Sequence, residues 1–158
     1  MKITKEKIRS MNPCKDGYQY WLDQGIEDLE TFMLRAHKEG HSDWAIWLFT
    51  RSVDRPTRLR FSIFCAELVL HIFEKKRPED NRARKAIETA KAVLADDTRE
   101  NRQKADAAVD AAVAAAAAVD AAAAADSASA ADYADARKRV YFKIITYAIK
   151  KLEERHGE

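Results

Sequence analysis

The sequence predicts an all-α fold: a single-domain bundle of about six to seven helices, with a long alanine-rich helix spanning the domain. Three observations predict it. Between Ala105 and Ala136, 20 of 32 residues are alanine, accompanied by six Asp, three Val, two Ser, one Tyr and no basic residue. Alanine is the best helix former, because it loses no side-chain entropy on ordering and has no polar group competing with the backbone. Elsewhere apolar residues recur at gaps of three and four, and no segment shows the period-two alternation of a half-buried strand. Punctuation is sparse: four Gly and three Pro, all in the first half of the chain or at its extreme end.

Taken in order, Thr4 is placed to cap a short helix running to about Ser10, and Asn12, Pro13 and Gly17 mark a turn. A short aromatic turn of helix (Tyr18, Tyr20, Trp21, Leu22) follows and stops at Gly25. From Ile26 to Lys38 the apolar residues Ile26, Leu29, Phe32, Met33 and Ala36 define one helical face. Gly40 ends that helix, and Ser42 caps the next, which carries Trp44, Trp47, Leu48 and Phe49. Pro56 breaks the chain, and Thr57 caps a helix from about Arg58 to Lys76 whose middle is apolar nearly all round, a pattern expected of a central core helix. Pro78 sits in the first turn of the following helix, which runs to about Ala95 with Ala86, Ile87, Ala90, Val93 and Leu94 inward. Asp97 and Glu100 read as a capping box for the alanine helix. If that helix continues to Ala125, about 28 residues give roughly 42 Å, close to the diameter of about 40 Å expected for a globule of this length. Asp126, Ser127 and Ser129 mark a break, and a last helix runs to about Glu154 with Tyr141, Ile144, Ile145, Ala148 and Leu152 as its stripe.

A chain of 158 residues is one domain by the length prior, here residues 1–158 with an aromatic-rich half (1–77) and an alanine-rich half (78–158). The net charge of +2 hides a division: the alanine tract carries −6, so the rest carries +8. The opening MKITKEKIRS lacks the apolar core of a signal peptide, and Phe61 to Phe73 is too short for a membrane span and contains Glu67. Cys14 and Cys65 form no disulfide framework, which suits a reducing compartment. A cytoplasmic protein without cofactors is the expectation.

Candidate sites follow from residue type and spacing. At 100° per residue Asp106, Asp110 and Asp120 share one stripe of the alanine helix, either a solubilising face or a docking surface for a basic partner. Their dispersion does not suit a metal's first coordination shell. Glu67 and His71 sit at i and i+4 in the most apolar helix, and Glu67 is expected to form a buried structural pair with His71 or with an arginine such as Arg82 or Arg84 of the next helix. A metal-dependent enzyme using Glu67 and His71 would need matching Glu and His on other core helices, which the alanine and last helices do not supply before His156. His37, His41, Asp43 and Cys14 are the remaining set with ligand chemistry, but their spacing is not the tight pairing of zinc sites. The aromatic group Tyr18, Tyr20, Trp21, Trp44 and Trp47 is expected to be mostly core, with one or two residues left as an exposed anchor. Basic clusters at 51–60 and 75–85 suit a phosphate backbone, though both contain acidic residues and neither matches a helix-turn-helix. There is no Gly-rich phosphate loop, nucleophile elbow or zincin motif.

The stretch CAELVLHIFEKKRPEDNRARKAIETAKAVL, Cys65 to Leu94, followed by an alanine-rich helical half, resembles a family of helical immunity proteins of bacteria and phages. The family pattern runs from an acidic residue in an apolar helix, here Glu67, to a basic-Pro-basic step before an Ala-Ile-Glu-x-Ala helix. Here the step is Arg82, Ala83 and Arg84 before Ala86 to Ala90, with Ala83 in the proline's place. The opening MNPCKDGYQYWLDQG, Met11 to Gly25, is similar to openings of small phage and bacterial proteins. The resemblance implies a non-catalytic, protein-binding inhibitor of immunity or phage counter-defence type, neutralising a toxin or host-defence protein. Asp106, Asp110 and Asp120 would supply complementary charge, and exposed aromatics the anchor. The alternative is a nucleic-acid-binding helical protein using the basic clusters 51–60 and 75–85.

Overall fold

A computed structural model describes residues 1–103 and 130–156 of the chain. The helices are α1 (Lys5–Ser10), α2 (Lys15–Gln24), α3 (Leu29–Lys38), α4 (Ser42–Ser52), α5 (Arg55–Lys76), α6 (Arg82–Ala95) and α7 (Ala130–His156). The protein is all-α, as its patterning predicts. Among the described residues the nearest thing to a sheet is an isolated bridge between Lys2 and Asp28. Residues 99–103 open a further helix. The expected domain-spanning alanine helix lies otherwise outside the described residues.

The chain gathers into two compact units: Met1–Thr57 with Lys138–Glu158, and Arg58–Arg137. In the first unit, Leu29, Phe32, Met33 and Ala36 are the buried face of α3, the 3–4 spacing read from the sequence. Ala45, Leu48 and Phe49 of α4, Ile8 of α1, Trp21 of α2, and Ile144, Ile145, Ala148 and Leu152 of α7 are also buried in its core, together with Ile3 and Val53. Tyr141, expected in the α7 stripe, is half-buried.

Several helix starts differ from the sequence expectation, each for a local reason. Thr4 caps α1 as expected, accepting from Lys7 N. In α2, Gly17 is a helix-interior residue, and capping falls to Cys14, whose Sγ accepts from Gly17 N at 3.4 Å. A Cβ at Gly17 would stand 3.0 Å from Cys14 Sγ and 3.5 Å from Trp44 Cδ1, so the glycine serves a close approach and not a turn. α3 starts at Leu29 and not Ile26, because residues before it are extended against the N-terminus: Ile3 N donates to Glu27 O (2.8 Å) and Leu29 N to Met1 O (2.9 Å). α4 is preceded by His41, and Ser42 is instead its buried first residue. α5 begins at Arg55, with Asp54 accepting from Thr57 N at 2.8 Å. Pro56 therefore lies in the first turn, where a missing N–H costs nothing. α6 begins at Arg82 and not near Pro78, because Asp80 Oδ1 accepts from Arg82 N at 3.1 Å. At the helix that opens at residue 99, Thr98 accepts from Asn101 N (3.2 Å), and Asp97 accepts from Arg102 Nε (2.8 Å).

The α3–α4 connection closes as a Schellman motif: His41 N donates to Ala36 O (2.7 Å) and Gly40 N to His37 O (3.1 Å). Gly40 has φ of +91° and open space where a Cβ would stand. Gly40→Ala therefore meets no clash and is expected to cost about 1–2 kcal/mol of backbone strain. Urea unfolding measures this, and unchanged stability would show that the hairpin does not depend on the left-handed turn.

Asp28 anchors the other end of α3. Its Oδ1 accepts from Thr31 N (3.0 Å) and Thr31 Oγ1 (2.8 Å), and its Oδ2 accepts from the Met1 ammonium (3.0 Å). These bonds, the Thr31 amide first, hold its carboxyl at about 2 against an ordinary 3.8. A carboxyl with a depressed folded-state pKa stabilises fully above its unfolded pKa and loses that contribution as pH falls through the folded value. Stability is thus expected to decline between about pH 4 and pH 2. Asp28→Ala should cost about 1 kcal/mol at neutral pH and flatten that decline in a pH series of urea unfolding curves. An unaltered acid limb in the variant would remove Asp28 from the explanation.

In the second unit, α5 and α6 pair as antiparallel neighbours. Glu67 of α5 meets Lys91 (2.5 Å), and Glu74 meets Arg84 (2.6 Å). Seven residues forward on α5 correspond to seven residues back on α6, two turns on each. Phe61, Ile63 and Phe73 are buried on α5, as are Ala86, Ile87 and Val93 on α6. The apolar middle of α5 is not buried all round, since Val69 and Ile72 are exposed among the described residues.

Candidate interaction surface

The α3–α4 hairpin sets His41 and Trp44 beside Tyr20 of α2. The His41 ring lies flat on Trp44 (centroids 4.2 Å, planes 8° apart) and 4.6 Å from Tyr20. Tyr20 and Trp44 are 5.2 Å apart, and buried Phe32 meets Tyr20 edge-on at 5.9 Å. Edge-to-face and offset contacts of this kind suit the ring quadrupole and hold the group rigid. Tyr20 OH donates to Glu39 Oε2 at 2.9 Å, and Glu39 Oε1 lies 3.3 Å from Arg35 Nη1. Burial, with the Glu39 hydrogen bond and charge, pushes the Tyr20 phenol up to about 12, so it remains a neutral donor near neutral pH.

The aromatic surface continues along α4. Trp47 lies one turn beyond Trp44, and the Arg51 guanidinium sits 4.7 Å over its ring, a cation–π contact. Nearby in sequence, Tyr18 stacks on Trp21 at 6.3 Å and accepts from Arg9 Nε at 2.8 Å. Of the five aromatics picked out in the sequence, Trp21 is buried, whereas Tyr18, Tyr20, Trp44 and Trp47 keep part of their surface. That corrects the expectation of a mostly buried group. Tyr20 and Trp44 meet each other across α2 and α4, Tyr18 lies on buried Trp21, and Trp47 is covered by Arg51. A rigid, partly exposed ledge of Tyr, Trp and Arg has the composition of protein-interface hot spots.

The other residues expected to carry a site have different fates. Asp106, Asp110 and Asp120 lie outside the described residues. Glu67 and His71 do not form the expected buried pair: both are exposed, Glu67 pairs with Lys91, and Arg84 pairs with Glu74. The antiparallel register is the reason, since it puts the start of α6 opposite the end of α5. His37 Nδ1 lies 2.9 Å from Ser42 Oγ, His41 is in the aromatic stack, and Cys14 caps α2. Among the described residues no group of three or more His, Cys, Asp or Glu is arranged to hold a metal ion. Both cysteines are free, and burial raises the Cys65 thiol to about 11. Within the basic clusters, Arg51 is on Trp47, Arg82 makes a two-point contact with Asp80 (2.9 and 2.6 Å), and Arg84 grips Glu74 through Nε and Nη2 (2.8 Å each). No described helix is long and apolar enough to cross a membrane.

Glu39 and His41 are ledge residues that sequence reasoning did not group with the aromatics. Both flank Gly40, whose turn joins α3 to α4, and both meet Tyr20 of α2.

Helices and ledge together define an all-α protein whose described surface offers an aromatic contact area. A family model described as Imm-5 like putative immunity protein matches residues 49–158, and the chain belongs to that family. An immunity-type family implies a protein partner. Comparison with curated proteins and with solved structures found no match. Tyr20, His41, Trp44 and Trp47 all precede the matched region.

Proposed function

We propose that the chain is a non-catalytic immunity protein that neutralises a toxin, or a comparable defence protein, by binding it. The family match over residues 49–158 carries this reading. The ledge of Tyr20, His41, Trp44 and Trp47 supplies rigid anchors of the type that dominate interface energies. Asp106, Asp110 and Asp120 supply charge complementary to a basic, substrate-facing surface on the toxin, which chiefly speeds encounter and sets specificity. Ion pairing of Arg82 and Arg84 with neighbouring carboxylates gives the nucleic-acid reading no support.

The test is co-expression with candidate toxins, those encoded by genes neighbouring this one first, followed by titration of the purified pair. Protection of the cells and a stoichiometric complex are expected. Reversing all three aspartates to lysine should slow association, with a helical spectrum like that of the parent. Undiminished capture by the folded triple variant would remove the acidic stripe from the proposal. Failure of the parent chain to bind or protect would remove the function.

A further inference from the structure

Among the large apolar side chains of the described residues, Phe142 of α7 and Leu34 of α3 are the most exposed, at 59% and 54%. Both belong to the first unit. They are joined through His37, whose ring centroid is 6.0 Å from that of Phe142 and which lies one helical turn beyond Leu34. Helical spacing sets Lys38 one turn after Leu34, and Lys138 and Arg139 one turn before Phe142. All three cations are exposed, and among the described residues none of them is paired with a carboxylate.

We propose that Leu34 and Phe142, rimmed by Lys38, Lys138 and Arg139, form a second contact surface whose occupant is the acidic surface of a partner protein. An apolar centre enclosed by a charged rim is the anatomy of a protein interface. A basic rim selects carboxylates by charge complementarity, and steers them. Two apolar side chains are far fewer than a membrane anchor takes, since even a single acyl chain binds only marginally. On a phosphate backbone the same two side chains would gain nothing and would hold the cations away from the charge. This surface uses none of the ledge's side chains and does not rest on the toxin reading.

The experiment places the photocrosslinker p-benzoyl-phenylalanine at position 142 in the full chain, expressed in its native host. Crosslinked species are identified by mass spectrometry, and the identified protein is then purified and titrated against the parent chain. One protein adduct is expected, with acidic residues at the crosslinked surface. Phe142→Glu and Leu34→Glu should each weaken the purified complex at least tenfold. The double reversal Lys138→Glu, Arg139→Glu should do the same and be rescued by acid-to-lysine changes on the partner. Both apolar sites are more than half exposed, so the variants should keep the parent's helical spectrum. Crosslinking to a second copy of the chain, to nucleic acid, to lipid or to nothing would overturn the proposal. So would a partner indifferent to Phe142→Glu and to the charge reversal. If that same partner is lost with Trp44→Ala, the ledge stands and this surface does not.

Discussion

Phe32→Ala is expected to cost about 3–5 kcal/mol of folding stability, the usual range for truncating a buried phenylalanine. Phe32 is 2% exposed and shares the buried face of α3 with Leu29, Met33 and Ala36. Domains of this size have only about 5–15 kcal/mol in total, so the variant stands near the threshold of folding. Its ring also meets Tyr20 edge-on, which ties the core of the first unit to the aromatic ledge. The truncation should therefore lower the urea midpoint and also alter the tryptophan fluorescence of the ledge before unfolding begins. Phe32→Leu keeps most of the volume and should cost less than about 1.5 kcal/mol. A loss below about 1 kcal/mol for Phe32→Ala would mean that the site collapses around the missing ring.

Trp44→Ala is expected to weaken toxin binding by at least about 2 kcal/mol, close to 30-fold in Kd, if the ledge anchors the partner as proposed. Trp44 stacks on His41 and neighbours Tyr20, so removing it takes away a contact surface and the support of two adjacent rings. The loss should appear mainly as faster dissociation, because charge and not aromatic contact governs encounter. Reversal of Asp106, Asp110 and Asp120 should show the opposite kinetic pattern. Surface plasmon resonance separates the two, with circular dichroism checking the fold. Unchanged dissociation from the folded Trp44→Ala protein would move the anchor away from the ledge.

The elements whose signals are local agree with the sequence. Thr4 caps α1, Gly25 and Gly40 end α2 and α3, and the α3 face of Leu29, Phe32, Met33 and Ala36 is buried as its spacing predicts. The helix starts that moved did so through competition among nearby caps. Asp28, Asp54 and Thr98 accept the amides of Thr31, Thr57 and Asn101, caps that the sequence reading did not assign, because which polar residue caps a helix depends on backbone direction and not on residue type alone. Gly17 misled for a related reason. As a letter it signals a turn, but in α2 it makes room for Cys14 and Trp44.

The site was less legible. Reading Glu67 and His71 as a buried pair assumed that an apolar helix is buried all round, whereas the α5–α6 register leaves Glu67 at the surface beside Lys91. The aromatic ledge needs three rings from residues 20 to 44 to meet, and no period within one helix brings them together.

By itself the sequence determined the all-α class, most helix ends, the apolar faces and, through the stretch from Cys65 to Leu94, the immunity-protein family. Those properties depend on backbone propensity and on spacing within single helices, which are short-range. Tertiary structure alone decided which aromatics stay at the surface, which carboxylate each arginine meets, and where Leu34 and Phe142 are left exposed. Each of those depends on the register between helices, a long-range quantity set by packing.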